Sequence, residues 1–128
     1  MEKNKPMERF LKLTKMNIYD LVLELDMSNN FFNSCLEKDL MELACEKAKE
    51  TKIIADVIKG RPEIEREEYF MAFVKLFCEA HNNENKEKMI RYESELKYFQ
   101  HCFMQDTDLR KKPITFTSMM TLLKDYHG

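Results

Sequence analysis

The stretch NIYDLVLELDMSNNFFNSCL, residues 17–36, decides how the rest of the chain is read. Leu21, Val22, Leu25 and Met27 precede the polar triplet Ser28-Asn29-Asn30, and Phe32 and Cys35 follow it, a pattern that predicts two helices packed across a tight break. The same pattern fits a helix-turn-helix, whose second helix enters the major groove of DNA. Duplex binding draws much of its affinity from cations that neutralise phosphates. The front of the would-be reading helix instead offers Asn29, Asn30, Asn33 and Ser34, with no Lys or Arg before Lys38, and Asp20, Glu24 and Asp26 on its neighbour would repel the backbone. Plain helix packing is the preferred reading. A nucleic-acid-associated regulator, using a degenerate helix-turn-helix at 17–38 with Asn29, Asn30, Asn33 and Lys38 in contact, is the alternative.

Upstream, Pro6 suits a first helical turn, and Met7, Leu11, Thr14, Ile18, Leu21 and Leu25 recur at spacings of four and three. Helix one is expected over about Pro6 to Asp26. Met16, Tyr19, Leu23 and Met27 line a second apolar face, so this helix is either surrounded on most sides or broken near Asn17. A short strand at LVLEL is the other possibility, and the helical spacing on both sides of it argues against it. Downstream, helix two starts near Asn30 and carries Phe32, Leu36, Leu40, Leu43, Ala44, Ala48, Ile54 and Ile58 to Gly60, where Pro62 blocks continuation.

Helix three, after Arg61 or Pro62, contains YFMAFVKLFCEA (69–80), in which Lys75 and Glu79 are the charged residues. A helix apolar on nearly all sides is buried. HNNENK (81–86) reads as a loop; helix four carries Met89, Tyr92, Leu96, Phe99 and Phe103; DTDLRKKP (106–113) reads as a second loop; and a last helix runs from about Thr117 through Met119, Met120, Leu123 and Tyr126. No internal repeat or linker is visible. The fold class is therefore all-α, a single compact bundle of about five helices with a largely buried third helix, residues 1–128 forming one domain.

Composition agrees with this and removes several functions. Two Gly and three Pro leave little turn chemistry for hairpins, and they rule out a glycine-rich phosphate cradle. No nucleophile elbow, dinucleotide-binding turn or paired-His metalloprotease motif is present, so no catalytic or cofactor-binding residue is assigned and the chain is read as a non-enzyme. Glu63, Glu65, Glu67 and Glu68 form the ordinary acidic first turn of a helix. Cys78 and His81 on one helix and His101 and Cys102 on the next would lie roughly 15 Å apart if the helices pack antiparallel. Zinc needs its ligands to converge within about 2.3 Å of the ion, so no metal site is expected. Cys35, Cys45, Cys78 and Cys102 all fall within predicted helices and are read as reduced core thiols.

A net charge of −2 gives no global field toward nucleic acid or an anionic membrane. The absence of an apolar span or leader points to a cytoplasmic protein without membrane contact. The positive signal is surplus apolar side chain: Phe31 beside Phe32, Met119 beside Met120, and two apolar faces on helix one. The expected function is a small interaction module that binds a protein partner, including a second copy of itself. Phe10, Leu13, Met16, Tyr19, Leu23, Met119 and Met120 are its candidate contact residues. Abundant Lys, Asn, Ile, Glu and Phe suit an AT-rich genome, and with it a phage- or virus-type accessory or regulatory protein.

Overall fold

The computed structural model describes residues 5–126. Six α-helices are present among them and no strand: α1 (Lys5–Thr14), α2 (Ile18–Glu37), α3 (Met41–Lys59), α4 (Glu63–Asn82), α5 (Lys86–Phe103) and α6 (Phe116–Asp125). A 3-10 turn, Asp108–Lys111, lies between α5 and α6 where the sequence suggests plain loop. The all-α class holds, with one helix more than expected. The helices group into two units, Met1–Arg61 and Pro62–Gly128.

In the first unit the helix expected over Pro6 to Asp26 divides between Thr14 and Ile18, the break weighed near Asn17. Asn17 is extended (φ −73°, ψ 164°), and its side-chain oxygen accepts from the Asp20 N–H at 2.9 Å, an N-cap that starts α2. The end of α1 is held from far along the chain. Arg61 donates to the carbonyls of Leu13 at 3.3 Å and Thr14 at 2.9 Å, and also to that of Met16. A cation on carbonyls that a helix leaves unpaired is the favourable charge for that end. Local apolar spacing cannot reveal a cap supplied 45 or more residues later.

The break at Ser28-Asn29-Asn30 does not form, and α2 runs straight through it. Ser28 is buried, and its hydroxyl lies 2.6 Å from that of Thr51 on α3, while Thr51 in turn donates to the Lys47 carbonyl. A polar residue in a helix interior thus finds its partner on the neighbouring helix and has no need of a turn. The true break is at Lys38-Asp39-Leu40. Asp39 takes the left-handed conformation (φ 59°), and the Leu40 N–H bonds back to the Cys35 carbonyl at 2.8 Å. Leu36 and Leu40, expected on the buried stripe of helix two, are half-exposed at this turn.

In the second unit the buried helix is α4, fourth in order rather than third. Tyr69, Phe70, Met71, Val74, Phe77, Cys78 and Ala80 are buried, and Glu68, Lys75, Glu79 and Asn82 form its solvated stripe. Arg66 is buried with them at 5% exposure. Its guanidinium donates to the Phe103 carbonyl at the end of α5 (2.6 Å) and grips the Asp106 carboxylate at 2.6 and 3.0 Å. Gln100 donates to the carbonyls of Leu109 and Lys112, both at 2.7 Å, which orders the segment read as loop. Thr115, not Thr117, caps α6.

The two units contain matching hairpins. A shift of forty-five residues carries Ile18 to Glu63 and Glu37 to Asn82, the limits of α2 and α4, and Met41 to Lys86, the starts of α3 and α5. It also carries Asp39 to Glu84, the two left-handed non-glycine residues among those described (φ 59° and 53°). The bond from Leu40 to Cys35 maps onto that from the Asn85 N–H to the Ala80 carbonyl, 2.9 Å. Leu25 and Phe70, Ile54 and Phe99, and Ile58 and Phe103 are buried at equivalent positions. Side-chain identity hardly survives the shift, so the repeat is one of backbone and core layers.

Candidate functional site

The seven residues proposed from sequence separate into two environments. Leu13 and Met119 are at 0% exposure and belong to the cores of their units, and Met16 and Met120 are half-buried. Leu13 was expected on an outward face. It is drawn inward because α1 packs on α3, and the break before α2 rotates it away from the row containing Leu23. Phe10, Tyr19 and Leu23 are exposed as expected.

The structure adds two residues to them. Tyr19 (49%), Leu23 (58%), Met27 (60%) and Phe31 (46%) stand on consecutive turns of α2 at a strict spacing of four, so they form a single outward row about 18 Å long. Leu21, Val22, Leu25 and Cys35, on the other side of the same helix, are buried. Met27 is on the second apolar face seen in the sequence, but the supposed break at 28–30 severs Phe31 from it. Continuing the four-residue spacing through the triplet would have found the whole row.

The charge on the helix that carries the row has one sign. From Ile18 to Glu37, α2 carries Asp20, Glu24, Asp26 and Glu37 and neither Lys nor Arg. Partial compensation comes from neighbouring helices: Arg9 of α1 lies 2.8 Å from Glu24 and 3.5 Å from Glu50, and the Lys47 ammonium sits 4.6 Å from the Phe31 ring centroid. α1 is the opposite case. It presents Met7, Phe10 and Leu11 to solvent, with Lys12 and Lys15 exposed near them.

The alternative site changes character with the fold. Asn29, Asn30 and Asn33 lie within an unbroken helix, and Lys38 is its C-cap, so the turn between two helices that the DNA-reading arrangement requires is absent from 18–37. Among the described residues no three His, Cys, Asp or Glu side chains converge on a common point. Cys45 is exposed, against the expectation of a core thiol, while Cys35 and Cys78 are buried. Burial pushes the Cys78 thiol above its ordinary range. The Asp106 carboxyl is held below its own, first by the hydrogen bond from Arg66.

A cleft of about 550 Å³ in the second unit is lined by Phe77, His81, Met89, Ile90, Ile114 and Phe116, among others, with the His81 ring stacked on Phe116 at 4.4 Å. It is open and largely apolar. No helix among the described residues is long and apolar enough to cross a membrane. Comparison with protein-family models, curated proteins and solved structures finds no match to this chain.

Proposed function

We propose that the chain is a non-enzymatic interaction module and that the Tyr19, Leu23, Met27 and Phe31 row is its contact face for a protein partner. The observation that supports this is the row itself: four large apolar side chains, each about half exposed, aligned over three turns of a helix whose opposite side is already fully used in packing. Single exposed apolar residues are ordinary, whereas an aligned and rimmed set marks a docking surface. Because each is already about half buried, covering these side chains releases about 0.7 to 1.5 kcal/mol each, a share of the affinity that the rest of an interface would complete.

The test is a photo-crosslinking residue placed at Met27, with the exposed α3 residue Lys52 as control position. Discrete adducts from Met27 that are lost with Leu23→Glu, and are absent from Lys52, are expected. Equal labelling from both positions would overturn the reading.

A further inference from the structure

The two hairpins share a backbone, so the residues at their turns can be compared position by position. Residues 36–42, at the turn of the first, are all exposed, and three of them are large and apolar: Leu36 (44%), Leu40 (48%) and Met41 (55%). The forty-five-residue shift sets these against His81, Asn85 and Lys86, and the second hairpin makes the same turn with polar residues alone. The geometry of the turn therefore does not require apolar side chains there.

Leu40 goes against local physics as well. Asn85, its counterpart, caps α5 by accepting from the Lys88 N–H at 3.2 Å, whereas Leu40 stands at the N-cap of α3 and makes no side-chain cap. Leucine is among the poorest residues at that position and asparagine among the best. A half-exposed leucine in place of a cap adds little to the core and nothing to the helix end. Local rules broken without gain to the fold are characteristic of functional sites.

The charge around this apolar turn selects what would cover it. Leu40 and Met41 line a shallow depression of about 420 Å³ with Leu43, Glu42 and Glu46, and Glu37 and Asp39 are exposed on the adjoining turn. Across 36–46 these four acids stand against Lys38, and none of the four is in an ion pair among the described residues. The equivalent stretch, 81–91, has the opposite balance, Glu84 and Glu87 against Lys86, Lys88 and Arg91. Exposed acids in this number repel a second copy of the same turn and an anionic membrane alike, and they attract Lys and Arg. The second unit shows how a basic and apolar segment lies on such a turn. Ile114 and Phe116, preceded by Arg110, Lys111 and Lys112, line one cleft with His81 and Lys86, and Phe116 stacks on His81.

We propose that the turn between α2 and α3 is a docking site for a short basic segment of a protein partner, with large apolar side chains seated on Leu36, Leu40 and Met41 and Lys or Arg set against Glu37, Glu42 and Glu46. Leu36 comes five residues after Phe31, off the four-residue spacing of the α2 row, so this site is separate from the row and does not rest on it.

The test is selection of random short peptides, displayed on phage, against the full chain, followed by anisotropy titration of the selected peptides as labelled probes. Those peptides are expected to carry more Lys and Arg than acids beside large apolar residues, and to bind more weakly as salt is raised. Leu40→Asn and Met41→Lys, each installing the residue of the second hairpin, are each expected to weaken binding about fivefold or more. Leu40→Asn restores a cap, so it should unfold at a denaturant concentration no lower than wild type, which separates lost binding from lost folding. Leu23→Glu is expected to leave the peptides bound. Failure to select any peptide, or peptides that bind both turn variants as tightly as wild type, would overturn the proposal. Peptides lost with Leu23→Glu but kept with Leu40→Asn would overturn it too, while leaving the α2 row standing as the contact face.

Discussion

Leu13 and Leu23 are the same residue ten positions apart, and they stand in opposite environments. The first is wholly buried, the second more than half exposed. Leu13→Ala should lower the stability of the chain by about 2 to 4 kcal/mol through lost burial and the cavity left behind, while Leu23→Ala should change it by no more than about 0.5 kcal/mol. Denaturant midpoints of the two variants measure the difference. Arg66 and Asp106 give a second prediction, in pH. The Asp106 carboxyl has an ordinary value of 3.8 and lies below it in the folded chain, so the pair contributes stability above the ordinary carboxylate range and loses it as pH falls through the lowered value. Asp106→Asn should be less stable than wild type at neutral pH, with the two converging as pH drops below about 4. Urea midpoints taken from pH 7 down to pH 3 follow this; a gap that persists unchanged into acid would mean that the ion pair is not its source.

Among the elements, α2 carries the sharpest test, because its continuity decides whether the row exists at all. Asn30 is exposed in mid-helix, so Asn30→Pro should cost about 3 kcal/mol or more and reduce helical circular dichroism. A turn at 28–30 would accept the same change with little loss. The real turns predict the reverse behaviour. Asp39→Gly and Glu84→Gly relieve a left-handed conformation that side chains resist, and each should raise stability by about 0.5 to 1 kcal/mol. Equal response at the two positions would match the equivalent geometry of the two hairpins. Ser-Asn-Asn looks like a turn because those residues favour one, and Lys-Asp-Leu does not, because the glycine that usually marks a left-handed position is absent.

For the whole molecule, charge sets the expectation. With four acids and no base on α2 and a net charge of −2, sub-micromolar binding to duplex DNA at physiological salt should not occur. A fluorescence-anisotropy titration checks this, and tight binding weakened by Lys38→Ala would restore the nucleic-acid alternative. Each unit is a pair of helices joined by the same left-handed turn, completed by a short helix: α6 on α4 in one, α1 on α3 in the other.

Helix as the building element was legible in the sequence, because apolar spacings of three and four together with scarce glycine leave no other way to bury these side chains. The buried character of residues 69–80 was legible for the same reason, and so were the exposed positions of Tyr19 and Leu23. Tertiary structure alone decided the rest. Ser28 stays helical because Thr51 answers its hydroxyl, α1 ends because Arg61 reaches its carbonyls, and Leu13 is core because α1 turns onto α3. Each of these depends on a partner distant in sequence, and periodicity reports one segment at a time. The contact row was half visible for that reason: its spacing is written in residues 19–31, but its continuity depends on a hydrogen bond to another helix.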